Sequence, residues 1–262
     1  VLLTGEVGTG KTTLCRAFVG QLPGDVDLAL VLNPNLSVVE LLKTVCREFG
    51  IEVGISESSV KDLVDRLNQS LLRAHSEGRR SILLIDEAQN LSAEVLEEVR
   101  LLTNLETNKH KLLQIFLVGQ PELRDLLGQP RLRQLAQRIT ARFHLRPLGA
   151  WETGEYVRHR LAVAGVERRL FSRAALRRLH RLSGGVPRII NNLCDRALLG
   201  AYARRRQLVN WWMVGQAARE LAGDYPSAGQ PFLRFLALAR ALGWRGRRFP
   251  RSRRGPSWTS RP

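Results

Sequence analysis

The chain has 262 residues, 44% of them hydrophobic, and carries 41 Lys and Arg against 24 Asp and Glu, a formal charge of +17. That size allows one or two domains with a substantial core, and the composition is that of an ordinary globular protein rather than a disordered or fibrous one. No apolar run approaches the roughly 18–20 residues needed to span a bilayer, and Cys15, Cys46 and Cys194 show neither Cys-x-x-Cys spacing nor paired histidines, which points to a reducing compartment and no metal site among them.

Residues 1–13 read VLLTGEVGTGKTT. An apolar strand enters a loop containing Gly5, Glu6, Val7, Gly8, Thr9 and Gly10, and Lys11, Thr12 and Thr13 open a helix. This is the phosphate-binding pattern G-x-x-x-x-G-K-[ST] in its strand–loop–helix setting. Glycines let successive N–H groups converge on one anion, and the helix adds the positive end of its dipole. Lys11 is placed to reach the β- and γ-phosphates of ATP, and Thr12 to ligate Mg²⁺. The plainer alternative is a Gly-rich turn before an ordinary helix. Val1 already reads as strand, so residues upstream of it are expected to be missing. Cys15, one helical turn after Lys11 on an apolar face, reads as a buried thiol.

Residues 27–32 read as a buried strand closed by Asn33-Pro34-Asn35. Ser37 caps a helix through Val38, Leu41, Leu42, Val45 and Phe49, and a second amphipathic helix covers about 60–76 through Leu63, Leu67, Leu71 and Leu72. Residues 81–87, SILLIDE, form a short buried strand ending in two acids. Asp86 falls at the C-terminal edge of the sheet, where α/β folds bind ligands, and can hold Mg²⁺ through its water shell. Glu87 points differently and can orient an attacking water. A helix starts at Ser92 and Glu94–Glu98. Residues 112–119 form another continuous apolar strand, expected between the loop-bearing and Asp86 strands, so that Gln120 at its end is a candidate γ-phosphate sensor. Helical segments follow to about Arg138, and 142–145 make a short last strand. Arg138, with Arg142 second, lies at the sheet-domain edge, where an arginine can reach a neighbouring subunit's nucleotide; a surface arginine is the plain alternative.

Continuous apolar strands alternating with helices predict an α/β parallel sheet covered on both faces. Pro147 marks a boundary, and the pattern turns purely helical at about 151–165, 172–183, 186–205 and 209–222. The expected organisation is a P-loop domain over 1–148, an α-helical lid over 149–222 and a basic tail over 223–262. Pro187 fits the first turn of a helix after Gly184-Gly185, which would project Arg188 toward a cleft between the domains, able to couple nucleotide state to lid angle. The tail holds nine Arg and one Asp, supplying +8, and the preceding 222 residues supply +9. Residues 231–244 mix apolar residues with Arg234 and Arg240; they can lie on an anionic membrane surface as an amphipathic helix or be disordered, and 245–262 have little to bury. The five histidines show no metal spacing.

These landmarks together resemble the AAA+ ATPases, and further the ExeA/GspA (general secretion pathway protein A) group. The stretches that carry the resemblance are LLTGEVGTGKTTL, LNPNLSVVELL, LLIDEAQNLS, VRLLTNLETN, KLLQIFLVGQPEL, QLAQRITARFHLRPL, YVRHRLAVAG and SGGVPRIINNLCDRALLGAY, over about residues 1–222. The resemblance implies an AAA+ core with a helical lid, ATP hydrolysis with Mg²⁺ as cofactor, and self-association as a ring or dimer. It implies a cytoplasmic location at the inner membrane of a Gram-negative bacterium, a GspB-like membrane partner and a role in placing the outer-membrane secretin of type II secretion. By its pattern Lys11 and Thr12 bind phosphate and metal, Asp86 and Glu87 serve metal and water, Gln120 occupies the sensor-1 region, Arg138 looks like the finger and Arg188 like sensor 2. The chain departs from the family at both ends: residues that usually help hold adenine are expected before Val1, and a basic tail stands where relatives continue into a transmembrane segment and a peptidoglycan-binding domain. Two other roles stay open: a DNA-linked transposition-accessory ATPase, with nucleic acid contacted through the positive charge, and a pilus-type (MSHA) or exosortase-locus assembly ATPase. A nucleotide-gated scaffold that hardly hydrolyses ATP is a third, against which Glu87 argues.

Overall fold

In the computed structural model, residues 1–32, 35–54, 59–107 and 110–223 are described. The expectations for Asn33-Pro34 and for the tail beyond Gly223, including 231–244, lie outside them. Two compact units divide the chain after Arg146.

The first unit is a five-stranded parallel sheet in the order β2-β3-β4-β1-β5. Its strands are β1 (Leu2–Gly5), β2 (Val26–Val31), β3 (Arg80–Ile85), β4 (Leu113–Gly119) and β5 (Arg142–Leu145). The helices between them are α1 (Lys11–Val19), α2 (Val38–Glu48), α3 (Val60–Ser76), α4 (Ala93–Leu102), α5 (Glu122–Leu127) and α6 (Arg133–Arg138). Successive side chains of a strand leave on opposite faces, and β3 feeds two clusters accordingly. Leu83 and Ile85 join Leu41, Leu42, Leu63, Leu67, Leu96 and Val99 from α2, α3 and α4. Leu84 packs instead with Cys15 of α1 and Val118 of β4. The sheet is therefore covered on both faces, which explains why its central strands read as unbroken apolar runs. Leu72 is an exception to the expected buried stripe of α3 and lies exposed.

Local chemistry sets the helix starts. Ser37 accepts a hydrogen bond from Glu40 N–H while Glu40 reaches back to the Ser37 N–H, a reciprocal capping box. Ser92 caps α4 through Val95 N–H at 3.2 Å. Strand β3 stops at Ile85, two residues before the predicted end, because Glu87 adopts a left-handed conformation (φ 52°) and leads into a 3-10 turn over Ala88–Asn90.

The second unit is helical: α7 (Ala150–Val163), α8 (Arg173–Ser183), α9 (Pro187–Ala203) and α10 (Trp211–Gly223). Its core comprises Val157, Leu161, Leu170, Phe171, Leu179, Ile190, Leu193, Leu198, Val209 and Val214, among others. Among the described residues no helix is long and apolar enough to cross a membrane.

Candidate active site

The site grows from the C-terminal edge of the sheet. Strand β1 ends at Gly5, where a Cβ would lie 2.8 Å from the Leu145 carbonyl oxygen of β5, so only glycine lets the two strands run side by side into the loop. Gly8 (φ 80°) and Gly10 (φ 103°) occupy the left-handed region that side chains disfavour. Thr9 tightens the coil by donating its hydroxyl to the Glu6 carbonyl at 2.8 Å. Gly10 is the N-cap of α1; no side chain caps that helix and no acid lies in its first turn, so its free N–H groups and positive dipole end face the loop. Lys11 is buried, and its ammonium donates to the carbonyls of Gly5 and Glu6 at 2.7 and 3.1 Å. Glu6 and Val7 form the exposed crest, and Thr13 is exposed on α1.

The order β3-β4-β1 sets Asp86 one strand away from the loop, with β4 between them. The Thr12 hydroxyl donates to Asp86 Oδ2 at 2.8 Å, although 74 residues separate the two. Asp86 is only 4% exposed, and its other oxygen accepts the Glu87 N–H at 2.9 Å. This bond fits the left-handed turn of Glu87, which swings the second carboxylate off the strand axis. Two amides hold it there: Gln89 Nε2 donates to Glu87 Oε2 at 2.6 Å, and Gln120 Nε2 lies 3.3 Å from the same oxygen. Gln89 Oε1 in turn accepts the Gln120 N–H at 3.0 Å. Gly119 leaves room for this arrangement, since a Cβ there would lie 2.7 Å from Gln89 Oε1 and 2.9 Å from Leu123 Cδ2.

Loop, Lys11, Thr12, Asp86, Glu87 and Gln120 are thus brought together by the first unit. Gln89 is the member that the sequence reading missed. Its signal was modest: a polar residue two positions beyond an acid pair, flanked by Ala88, which is fully buried. Beneath the loop, Cys15 is buried as expected; burial, with the nearby Asp86 charge, pushes its thiol up to about 11.

Arg138 is exposed at the end of α6 and donates to Thr103 Oγ1 at 2.7 Å and to the Asn104 side chain, which fixes it to the turn after α4. Arg142 donates to the Ala136 carbonyl at 2.6 Å from edge strand β5. Arg188 belongs to the helical unit. It is exposed in the first turn of α9, after Gly184 (φ 59°) and Gly185 (φ 77°). The Gly185 carbonyl accepts the Leu148 N–H at 2.9 Å, and a Cβ on Gly185 would lie 1.9 Å from the Leu148 oxygen. Two histidines contact threonine hydroxyls: His144 lies 3.1 Å from Thr4 Oγ1 and His180 3.1 Å from Thr153 Oγ1. Among the described residues no cluster of three or more His, Cys, Asp or Glu is placed to hold a metal.

The donor set fits a nucleotide with a hard cation. A hydroxyl and a carboxylate in mutual contact offer oxygens to Mg²⁺, which usually completes its octahedron with water and phosphate, and the glycine coil with its buried ammonium suits a polyphosphate.

Fold and site together define a P-loop module of the AAA+ kind, and the AAA domain family matches residues 1–127. In sequence the chain is similar to the ExeA/GspA group: general secretion pathway protein A of Aeromonas hydrophila is 49% identical over 253 residues, 95% of this chain and 46% of that protein. The chain therefore spans about half the length of that relative. ATP-dependent target DNA activator B of Escherichia phage Mu is 33% identical over 101 residues, 38% of this chain and 30% of its own. Among solved structures, Cdc6p of Pyrobaculum aerophilum has a TM-score of 0.64 over 93% of this chain and 79% of its own, at 14% identity, a likeness of fold alone.

Proposed function

We propose that this chain binds Mg²⁺ and ATP and hydrolyses the nucleotide, as the AAA+ module of a type II secretion assembly apparatus. The observation that carries the reading is the contact of Thr12 with Asp86 beside a second carboxylate, Glu87, held by two amides. Lys11 and the loop N–H groups bind the phosphates and stabilise negative charge as it builds on the γ-phosphoryl group. Held by Thr12 and, through water, Asp86, Mg²⁺ would neutralise phosphate charge. Glu87 accepts a proton from the attacking water and fixes its direction, while Gln120 reports the γ-phosphate to β4. Gln89 is a positioning residue: it touches Glu87 and the Gln120 backbone and sets the carboxylate's aim. Arg138, anchored at Thr103, serves as the finger toward a neighbouring copy, with Arg142 the alternate, and Arg188 as the lid sensor.

Coupling of turnover to secretin placement, a GspB-like partner, a ring or dimer, and a site of action at the cytoplasmic face of the inner membrane are supported by the 49% identity to general secretion pathway protein A. The test is ATP turnover by the purified chain, with Lys11→Ala and Glu87→Gln. Both should lose turnover, and Glu87→Gln should keep nucleotide binding; equal turnover in all three would falsify the assignment. A DNA-linked role is the second reading, favoured by the shorter match to the phage activator and tested by DNA-stimulated turnover.

A further inference from the structure

The helical unit carries a surface that ATP chemistry does not use. From residue 168 to 219 the sequence holds 12 arginines, no lysine and one acid, Asp195. Part of that charge is gathered where α9 passes to α10, in the segment RRRQLVNWW over 204–212. Val209 pins this segment: its N–H donates to the Leu170 carbonyl at 2.7 Å, and its own carbonyl accepts the Ser172 N–H at 3.0 Å. With Val209 buried, Arg205, Arg206 and Leu208 remain exposed.

Two indoles follow, each fixed by a guanidinium. Arg178 of α8 lies over the Trp211 ring at 4.8 Å, and Arg204 over the Trp212 ring at 5.1 Å. Arg204 also donates to Gln216 Oε1 at 2.9 Å and to the Gly200 carbonyl at 3.2 Å. Gly215 makes room for Arg178, since a Cβ there would lie 2.5 Å from the guanidinium carbon. These clamps hold two large rings in water, Trp211 53% and Trp212 43% exposed, and Leu208, three residues before Trp211, is 46% exposed.

We propose that this face of the helical unit docks on an anionic phospholipid surface. Arginines supply attraction to phosphate headgroups, worth about fivefold in affinity for each cation near the surface. Tryptophan prefers the headgroup boundary, with its ring in the apolar layer and its N–H in the polar one. Leu208 decides between anionic partners, because a nucleic-acid backbone offers no apolar phase for an aliphatic side chain whereas a bilayer does. Docking through this face does not depend on nucleotide hydrolysis.

The test is flotation of the full chain with vesicles of equal phosphatidylglycerol and phosphatidylcholine, against vesicles of phosphatidylcholine alone. The chain should float only with the anionic vesicles. Arg205→Asn with Arg206→Gln should weaken that binding about twenty-five-fold; asparagine suits the left-handed φ of 53° at position 205. Leu208→Ser alone should weaken it about fivefold. Circular dichroism should show wild-type helix content in both variants, and ATP turnover without vesicles should be unchanged. Wild-type flotation by both variants overturns the proposal, as does binding to a DNA duplex that the arginine variant loses and Leu208→Ser retains in the absence of flotation. A change of oligomer mass in both variants, again without flotation of the wild type, overturns it in favour of a second copy of this chain.

Discussion

The two units carry their positive charge in opposite ways. Residues 1–146 hold 18 basic and 18 acidic side chains and are formally neutral, whereas 147–223 hold 14 arginines against five acids. The proposed phosphate cradle sits in the neutral unit. It relies on N–H groups gathered by glycine, the end of α1 and one buried lysine, so its field is local and strong. The helical unit spreads cations over its exterior, where each acts weakly and through salt. Net charge thus fails to locate the proposed triphosphate site: of the chain's +17, residues 147–223 supply +9 and 224–262 supply +8, and the unit that holds the site supplies none.

The sheet unit is most sensitive at Glu87. Glu87→Gln should cost about 10²–10⁴ in turnover with nucleotide affinity within about twofold, measured by phosphate release and nucleotide titration; retained turnover would remove the chemistry from the sheet unit. In the helical unit the heaviest change is Gly185→Ala. Its φ of 77° and the 1.9 Å approach to Leu148 predict a loss of about 2–4 kcal/mol, read as a lower thermal midpoint. Gln89→Ala should lower kcat about ten- to hundredfold and leave nucleotide affinity alone. Gly119→Ala should do the same, and the two should be less than additive in a double-mutant cycle, because each dislodges the same amide. Ser92→Ala removes one cap and should cost about 1 kcal/mol in chemical denaturation. The smallest effect concerns Cys15. Its raised thiol keeps a proton that the unfolded chain loses, so it supports the fold below the ordinary thiol range and that support fades as pH rises toward about 11. Alkylation of Cys15 should stay slow at pH 8 in the folded chain, and rapid labelling there would show the α1 face to be open.

Much of the sheet unit was legible because its signals are local. The loop glycines, the Asp86–Glu87 pair, the caps at Ser37 and Ser92 and the bounds of α3 all follow from residues a few positions apart. What escaped depends on backbone conformation or on distant partners. Nothing local says that Glu87 turns left-handed, and without that turn Gln89 cannot be seen to meet Gln120, 31 residues away. Gly119 looked like the end of a strand; its need for a missing Cβ appears only once Gln89 and Leu123 are in place. Arg138 was recognisable as an edge residue, but its anchor at Thr103 and Asn104 lies in the turn after α4, more than 30 positions away. The charge contrast is written in the sequence once the chain is divided after Arg146.

All five lysines of the chain, Lys11, Lys43, Lys61, Lys109 and Lys111, precede residue 147. The cationic face of the helical unit is therefore beyond the reach of acetylation, which can erase a lysine's charge but not an arginine's. Whatever that face adheres to, release must come from ionic strength or from competition by another anion, while acylating reagents applied to the intact protein would map the sheet unit and leave its helical neighbour's side chains unmarked.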